Sequence, residues 1–515
     1  MNKARYVAIF HANLNYAFLT PDKYERTIRA SYEVIIDTFR DHPNQQYVFE
    51  ASGYTIDTMA KLTPDVLEKL KDAIRRGQCE FMGAPYAHPI MANVPEEDGY
   101  WSCEASQRTY EKFLGIRPES WWNPECTWTQ YVPYAFRKAG AKYLTLDFES
   151  YMNSNDKDYA WVERNRTQDI YWGGHLPWYE LDPDCKFLHQ PFHNVVPGLH
   201  GMCRSDRLMG KYVSYFLGKT SLEDYLENVR HWTGSGRGST IIIADDAEYC
   251  GTTGYYYVKY FRDYDKCFMV DPEAPAKLDA MIKGIKEFGR LITFKDACEM
   301  EPVDEPFFVE DGGAWHRTYS IVWGGTPEAR HWDPILEGIR RQYKKYCQPI
   351  TEGTHKEEFA EIVWRFWFHL TCAANSDGRW PAPPARTCPF NRQWVEDEIT
   401  ITRATLAEIR KRIKANGYHL PRRKGFSDDP NAESSYQFHF TDKPINSPYD
   451  IPALTTYELS HAIYYYNAMV DSKVPDKLEK GKHMLKAIFD ELDRRGMKGI
   501  RPGGAKGTEK RVLDI

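Results

Sequence analysis

Apolar and polar positions alternate along the first 300 residues in a way that predicts strands and helices in turn. Residues 5–10 form an apolar run that predicts a strand, and "YERTIRASYEVIIDTF" then carries apolar side chains at helical spacing on one face. "QYVFEASG" predicts the second strand. The next segment predicts a helix from Pro64 to Gly77, capped by Thr63. A third strand follows from Cys79, so the order is β-α-β-α-β.

The same alternation continues downstream. "TQYVPYAFRKAG" predicts a helix, "AKYLTLD" a strand, and "GSTIIIADD" a nearly continuous apolar strand of the kind that is buried on both faces of a parallel sheet. We therefore expect the first 300 residues to form a parallel α/β barrel or a doubly wound sheet, with the active site at the carboxyl ends of the strands. The polar residues at these ends are His11, Glu50 to Ser52, Tyr86 to His88, Glu125, Asp245 and Asp246.

The pattern changes after residue 300. Residues 301–334 are rich in proline, glycine and acidic residues, which predicts a linker or a wrapped connection. From residue 335 onward the periodicity is helical, as in "EEFAEIVWRFWFHL". We predict an α/β domain over residues 1–300, a connection over 301–334, and a mainly helical domain over 335–515.

Composition narrows the class of protein. The chain has 515 residues, 42% of them hydrophobic, and no run of about 18 apolar residues, which predicts a soluble globular protein without a membrane span. The net charge of -6 does not indicate binding to nucleic acid or to an anionic membrane. The apolar start is too short for a signal sequence and the 11 cysteines form no C-x-x-C pair, so we expect reduced thiols and a cytoplasmic protein. An aromatic content of 15% suits sugar binding, and equally a large aromatic core.

Two carboxylates at strand ends are candidates for chemistry. Cleavage of a glycosidic bond needs one carboxyl group that attacks or stabilises the anomeric carbon and another that protonates the leaving oxygen. Glu125 lies among three tryptophans in "WWNPECTW", and Asp246 ends the strand in "IIIADDAEYCG". Asp245 and Asp246 point to opposite sides of an extended chain, so one of them can face a site. The structural alternatives are a buried, hydrogen-bonded Glu125 and an acidic cap at the strand end.

Four segments together resemble motifs of glycoside hydrolase family 57. "GQCEFMGAPYAHPIM" is similar to the second motif, "WNPECTW" fits the third in register, "DDAEYCG" resembles the fourth, and "NSDGRWP", residues 375–381, resembles the fifth. Members of the family have an incomplete (β/α)7 barrel followed by helical segments, and they act on α-linked sugars with retention of configuration. The resemblance therefore implies an incomplete (β/α)7 barrel followed by a mainly α-helical C-terminal domain that contributes to the active-site rim.

The resemblance also implies residue roles. The third-motif glutamate is the nucleophile of the family, which carries over to Glu125, and the fourth-motif aspartate is the general acid/base, which carries over to Asp246. The implied function is a retaining α-glycoside hydrolase, with transglycosylation left open, that acts on α-glucans or α-galactosides. The expected substrate-binding residues are His11, Asn13, His88, Trp122, Trp128, Arg204, Asp206, Asp245, Glu248, Asp377 and Trp380. Among Trp121 and the three listed tryptophans, we expect core packing for at least two.

The first motif departs from the family pattern. The family has His-Gln-Pro after the first strand, whereas this chain has "FHANLNYA", which keeps only His11. This form resembles the opening of family members described as α-galactosidases. A literal His-Gln-Pro occurs at residues 189–191. It cannot lie at the end of the first strand, and we interpret it as a coincidence.

Two other classes of function remain open. One is a metal-dependent polysaccharide deacetylase or mannosidase on a related barrel, which needs an Asp/His metal set near the first strands, where only His11 is suitably placed. The other is a non-catalytic carbohydrate-binding protein. "QPFHNVVPGLHGMCRSDR" holds potential ligands, but their spacing matches no familiar zinc pattern. We therefore predict no metal and no cofactor, expect an α-linked oligo- or polysaccharide as partner, and leave a homo-oligomer open.

Overall fold

The computed structural model describes residues 4–155, 183–233, 239–261, 263–315, 318–324, 326–380, 389–418 and 475–494, with a few isolated positions between 451 and 466. The chain forms two compact units. The first unit comprises Met1–Tyr86, Cys103–Val309 and Gly313–Thr318, and the second comprises Ala87–Ser102, Glu310–Gly312 and Tyr319–Ile515. The predicted connection, residues 301–334, is thus shared by both units.

Nine strands of the first unit form one sheet. They are β1 (Ala4–Ala12), β2 (Tyr47–Ser52), β3 (Cys79–Ala84), β4 (Ser120–Trp121), β5 (Tyr143–Asp147), β6 (Phe192–Val196), β7 (Leu199–Arg204), β8 (Thr240–Asp246) and β9 (Gly289–Leu291). Their order is β6-β7-β5-β4-β3-β2-β1-β8, and β9 pairs with β1. The β6–β7 pair is antiparallel and the other described pairs are parallel.

The strand order distinguishes a barrel from a doubly wound sheet. A doubly wound sheet starts in the middle and grows outward in two directions. Here six parallel strands, β1 to β5 and β7, follow the chain around the sheet, and a seventh, β8, returns to lie beside β1, as in a barrel. Over the described residues the hydrogen-bonded path ends at β8 and at β6. The sheet is a curled half-barrel of parallel strands, and the predicted incomplete (β/α)7 barrel is confirmed.

Alternating side chains of the strands fill the inside of the barrel. The buried cluster there includes Val7, Ile9, Val48, Ile242 and Ala244. Because successive side chains of a strand point to opposite faces, the next residues on this inner face are His11 of β1, Glu50 of β2 and Asp246 of β8. The barrel interior therefore changes from apolar to polar at the carboxyl ends of the strands.

Helices connect the strands of the first unit. They are Pro21–Thr27, Val34–Arg40, Gly53–Leu62, Pro64–Arg75, Val132–Lys138, Phe148–Asn155, Lys186–His189, Asp206–Phe216, Leu222–Trp232, Tyr256–Phe261, Ala274–Phe288 and Phe294–Cys298, with a π-helical turn at Ile28–Glu33 and 3-10 turns at Pro124–Cys126 and Ala247–Cys250. Helix Glu96–Leu114 belongs in part to each unit. Thr63 is the N-cap residue of Pro64–Arg75, as predicted, although its hydroxyl group donates to the Met59 carbonyl oxygen at 3.4 Å instead of capping the helix.

The second unit is mainly helical, as predicted. Its helices are Ile321–Gly324, Pro327–Tyr346, Lys356–Cys372, Pro389–Ala415 and Pro475–Arg494, with a π-helical turn at Pro349–Thr354 and 3-10 turns at Met91–Asn93 and Asp377–Arg379. Their core contains large side chains such as Trp332, Tyr343, Phe366 and Trp367. A buried ion pair between Arg340 and Asp98 fastens the start of helix Glu96–Leu114 to Pro327–Tyr346.

Among the described helices, none combines the length and the apolar character that a membrane crossing requires. The 10 cysteines within the described ranges are free thiols, and nine of them are buried. The predicted glycine-rich turn at residues 234–240 lies mostly outside the described residues.

Candidate active site

The carboxyl ends of β8, β1 and β2 bring three polar side chains together inside the barrel. His11 lies opposite Glu50 on one side and opposite Asp246 on the other in the register of the sheet. The Nδ1 atom of His11 and the Oε2 atom of Glu50 form a hydrogen-bonded ion pair. The Glu50 side chain is completely buried, whereas that of His11 keeps 13% exposure. Glu50 is therefore a buried anchor for a ring that still has access to solvent.

Opposing effects decide the charge of His11. Burial disfavours the imidazolium, but the Glu50 carboxylate, with Asp246 and Glu248, raises the pKa of His11 to about 10. Burial also raises the pKa of Glu50, against the opposing charge of His11. At neutral pH His11 is therefore an imidazolium, which carries a proton on each ring nitrogen. With Nδ1 donating to Glu50, Nε2 is a second donor.

Glu248 ties the turn after β1 to the turn after β8. Its buried Oε1 atom accepts hydrogen bonds from the Asn13 backbone N–H at 3.1 Å and from the Tyr32 hydroxyl group. The Ser31 hydroxyl group donates to the Glu248 carbonyl oxygen at 2.9 Å. Burial and the Asp246 charge raise the pKa of Glu248 to about 8. The predicted substrate-binding residues Asn13 and Glu248 thus contact each other and hold the backbone beside Asp246.

The two adjacent aspartates at the end of β8 differ in their surroundings. Asp246 continues the inner face of Ala244, and Asp245 lies on the other face with 9% exposure. The Oδ1 atom of Asp245 accepts a hydrogen bond from the Asp246 N–H at 2.7 Å. Burial and the Asp246 charge raise the pKa of Asp245. Asp246 is the more exposed of the two, so it is the one placed to contact a ligand in the barrel.

Glu125 stands on a strained turn after β4. It has φ 54° and ψ 15°, and the following Cys126 has φ 47°, both in the left-handed region that non-glycine residues rarely adopt. Such a residue costs of order 1–3 kcal/mol and persists only where its surroundings enforce it. Two backbone hydrogen bonds do so here: Trp315 N–H donates to the Glu125 carbonyl oxygen at 2.9 Å, and Trp128 N–H donates to that of Gly313 at 2.7 Å. Strain held in this way at a partly exposed carboxylate points to function.

Trp122 connects the Glu125 turn to the polar strand ends. Its ring centroid lies 5.1 Å from that of His11, with an angle of 31° between the planes. Trp122 precedes Glu125 by three residues, and His11 is paired with Asp246 in the sheet. Both candidate catalytic carboxylates are therefore carried by segments that meet at the mouth of the barrel.

A second group of buried charges lies at the ends of β5 and β7. The Arg204 guanidinium donates to Asp147 at 3.0 Å and to Asp206, and Glu149 accepts from the Ser205 hydroxyl group at 2.6 Å and from the Asp206 N–H at 3.1 Å. Burial and the neighbouring Asp206 raise the pKa of Asp147 to about 6 and that of Glu149 to about 8. Carboxylate oxygens of these three acids lie within 4.8 Å of one another, close enough to share a cation, and Arg204 already supplies one positive charge.

In the second unit, His88 lies beside the segment predicted as the fifth motif. Ser376 N–H donates to the His88 carbonyl oxygen at 3.1 Å, and Asn375 Nδ2 donates to that of Ala87 at 2.8 Å. His88 has φ 47° and its side chain is buried. The predicted Asp377 and Trp380 are also buried, at 3% and 7% exposure. The fold of this unit thus brings His88 next to the segment that carries Asp377 and Trp380.

The first part of the chain is similar in sequence to known proteins. Residues 2–176 match the model of glycosyl hydrolase family 57. That part of the chain is similar to members of the family. A segment of 202 residues is 23% identical to an α-amylase of Pyrococcus abyssi and covers 37% of this chain and 28% of that protein. A 4-α-glucanotransferase of Thermococcus kodakarensis is 26% identical over 202 residues, 37% of this chain and 29% of the relative.

Solved structures of the family share the fold over a longer stretch. A family 57 branching enzyme from Thermococcus kodakaraensis, crystallised with glucose, aligns with a TM-score of 0.61 at 11% identity, over 81% of this chain and 92% of that one. A 4-α-glucanotransferase of Thermococcus litoralis aligns with a TM-score of 0.54 at 17% identity, over 84% and 63%. The segments matched in the two curated relatives span less than a third of the length of those proteins. The structural alignments, at 11% and 17% identity, show a shared fold alone.

The family 57 match and the His-Gln-Pro tripeptide can both be located on the strands of the barrel. The matched segment contains His11 and Glu125 and ends before Asp246. The literal His-Gln-Pro is at the opposite end of the barrel: the His189 ring hydrogen-bonds to the carbonyl oxygens of Thr240, at the start of β8, and Pro183. This position agrees with its interpretation as a coincidence.

The tryptophans are more buried than a sugar-binding role would suggest. Trp121 is completely buried and packs near Tyr110 and Phe136, and Trp128 packs edge-on against Phe307. Trp122 keeps 8% exposure. The sequence marked Glu50 as a polar residue at a strand end without giving it a role, and it overlooked Asp147 and Glu149, which stand at or just after the carboxyl end of β5. It also overlooked Trp315, in the predicted connection.

Proposed function

We propose that the protein is a retaining enzyme that cleaves or transfers α-linked glucan chains, with Glu125 as nucleophile and Asp246 as general acid/base. The observation that carries this proposal is the left-handed backbone of Glu125, which two backbone hydrogen bonds enforce at the mouth of the barrel. A glutamate that only fills the core gains nothing from such strain. The segment "WNPECTW" around Glu125 also resembles the third motif of family 57.

The proposed reaction is a double displacement. The Glu125 carboxylate attacks the anomeric carbon and forms a glycosyl ester, while Asp246 gives its proton to the oxygen of the departing sugar and the glycosidic bond breaks. Asp246 then takes a proton from water or from a sugar hydroxyl group, whose oxygen attacks the same carbon and releases Glu125. Two inversions give net retention.

The charged pair at the end of β1 supports substrate binding. His11 is an imidazolium anchored by buried Glu50, so its Nε2–H is a charged donor held at a fixed angle. We propose that it binds a hydroxyl group of the sugar ring that is attacked. His88, Asp377 and Trp380 stay predicted substrate contacts. Arg204 and Asp206 are buried against each other, and we propose that they support the site indirectly.

The substrate class rests on the relatives. The curated relatives are named α-amylase and 4-α-glucanotransferase, and one solved neighbour is a branching enzyme in complex with glucose. A second candidate is an α-galactoside, because the segment "FHANLNYA" resembles the opening of α-galactosidases. Both substrates fit the same pair of carboxylates and differ in the configuration of one hydroxyl group.

A panel of substrates tests the proposal. Maltooligosaccharides and chromogenic α-glucosides, α-galactosides and α-mannosides are incubated with the wild type and with Glu125→Gln, Asp246→Asn and the control Glu111→Gln, which changes an exposed acid on helix Glu96–Leu114. We expect activity on α-glucans that falls at least about 10³-fold in the first two variants and is unchanged in the control.

Other results would contradict the proposal. Full activity of Glu125→Gln excludes the mechanism. Loss of activity on treatment with a chelator favours a metal-dependent deacetylase or mannosidase. A wild type that binds maltooligosaccharides and converts none of the substrates supports a non-catalytic binding protein.

A further inference from the structure

The segment Gly313–Trp315, predicted as part of a linker, runs beside the turn that carries Glu125. Trp315 N–H holds the Glu125 carbonyl oxygen at 2.9 Å, and the Gly313 carbonyl oxygen accepts from Trp128 N–H at 2.7 Å. These hydrogen bonds come from both ends of a three-residue segment and bracket the four residues Glu125 to Trp128. The connection is therefore part of the framework of the proposed nucleophile.

The barrel in turn holds this segment in place. The Ser150 hydroxyl group donates to the Ala314 carbonyl oxygen at 3.0 Å, and the Ser150 N–H donates to Asp147 Oδ2 at 2.9 Å. Asp147 is paired with Arg204, whose guanidinium carbon lies 6.0 Å from the centroid of the Trp315 ring. The distance is at the outer limit of a cation–π contact. Backbone and ring of Trp315 thus both have fixed neighbours.

The exposure of Trp315 distinguishes it from the tryptophans that the sequence favoured. Trp121, Trp122 and Trp128 have exposures of 0%, 8% and 5%. Trp315 is only partly buried, and it packs against the cluster inside the barrel that includes Trp122. The side chain of Trp315 therefore packs against the inner cluster of the barrel and stays partly exposed, while its backbone N–H lies beside Glu125.

We propose that Trp315 is the aromatic platform that binds a sugar ring of the substrate next to Glu125, an inference that rests on the proposed function. The C–H face of a pyranose ring is apolar and matches an indole face in size. A side chain whose backbone and ring are already fixed loses little conformational entropy on binding. The Trp315 N–H also positions Glu125, so the sugar platform and the nucleophile share one rigid segment.

Binding measurements on an inactive enzyme test the platform. Glu125→Gln prevents turnover, and the Kd for maltotetraose is measured by calorimetry with Trp315 intact, with Trp315→Leu and with Trp315→Phe. The control is Trp394→Leu, the same change at a partly buried tryptophan of helix Pro389–Ala415. We expect Trp315→Leu to raise the Kd about fivefold to tenfold, Trp315→Phe to recover most of the affinity, and the control to leave it unchanged.

A chemical test needs no variant and covers the case in which Trp315→Leu does not fold. Wild-type protein is oxidised with N-bromosuccinimide with and without maltotetraose, and each tryptophan is followed by peptide mass spectrometry. We expect the oligosaccharide to slow oxidation of Trp315 and to leave that of Trp394 unchanged. A wild type that converts α-glucans while Trp315 is unprotected and Trp315→Leu binds normally overturns the platform alone. A wild type that neither binds nor converts α-glucans overturns both proposals.

Discussion

Glu50→Gln tests whether a buried carboxylate keeps His11 charged. The substitution preserves the size of the side chain and removes its charge. In the wild type the Glu50 charge overcomes the effect of burial, which by itself lowers the pKa of His11. Without the carboxylate, burial is opposed only by the charges of Asp246 and Glu248, and we expect the pKa of His11 to fall well below about 10. His11 then loses its charge at a lower pH than in the wild type.

The magnitude follows from the pKa values. The difference between 6.5 and about 10 corresponds to roughly 5 kcal/mol between the two protonation states of His11. Breaking a buried pair costs about 3–5 kcal/mol of unfolding free energy. Because the folded pKa lies above the unfolded one, the contribution of His11 is fully present below pH 6.5 and is lost as the pH rises toward 10. The stability difference between wild type and Glu50→Gln should therefore shrink over this range.

Nuclear magnetic resonance of protein with ¹⁵N-labelled histidine follows the protonation of His11 directly, with His11→Gln for assignment. Glu80→Gln is the control, because Glu80 is another acid of the sheet with a pKa raised by burial, bonded to Ser120 and to the Lys295 N–H. Activity on α-glucans should fall about 10-fold to 100-fold at pH 7.5 in Glu50→Gln and recover in part at lower pH. A neutral His11 in the wild type at pH 8, or equal titration in the wild type and Glu50→Gln, would refute the reasoning.

Three further predictions concern the framework of the site. Ser150→Ala removes the hydroxyl group that holds Ala314; we expect kcat to fall about tenfold with little change in KM, and an equal rise in KM would contradict a positioning role. Gly251→Ala places a Cβ 1.8 Å from the Ala30 carbonyl oxygen and should lower the unfolding free energy in denaturant by more than about 2 kcal/mol, whereas Gly338→Ala, with open space around it, should not. The pKa of Glu149 is raised to about 8, so the buried carboxyl group lowers the stability of the fold as the pH rises from 4.5 to 8. The melting temperature of Glu149→Gln should therefore rise relative to that of the wild type over this range, and a constant difference would argue against the raised pKa.

Local patterns of apolar residues in the sequence predicted several strands and helices of the barrel. "QYVFEASG", "AKYLTLD" and "GSTIIIADD" contain the strands Tyr47–Ser52, Tyr143–Asp147 and Thr240–Asp246. Apolar residues at helical spacing marked Ile28, Tyr32 and Phe39, all buried. Periodicity reports which face of an element is buried and does not report its neighbours. The choice between a barrel and a doubly wound sheet therefore needed the β1–β8 pairing, which joins residues more than 200 positions apart.

The candidate site was predictable where it depends on strand ends. The alternation of side chains along β8 predicted that one of Asp245 and Asp246 faces the site, the family resemblance selected Asp246, and the position after the first predicted strand marked His11 as a site residue. The left-handed turn at Glu125 was not predictable, because no glycine marks it and distant backbone groups enforce it. Trp315 was missed for a related reason: it sits in a segment rich in glycine and acids, and its neighbours Glu125 and Arg204 are more than 100 residues away along the chain.

The identity of the nucleophile is the central claim, and covalent trapping tests it most directly. A 2-deoxy-2-fluoro or 5-fluoro glycosyl fluoride forms the glycosyl ester faster than the ester hydrolyses, so the sugar stays on the protein. Peptide mass spectrometry then locates it. We predict one label per chain, on Glu125, and none in Glu125→Gln. A label on another carboxylate, or full turnover of an α-glucan by Glu125→Gln, would contradict the account.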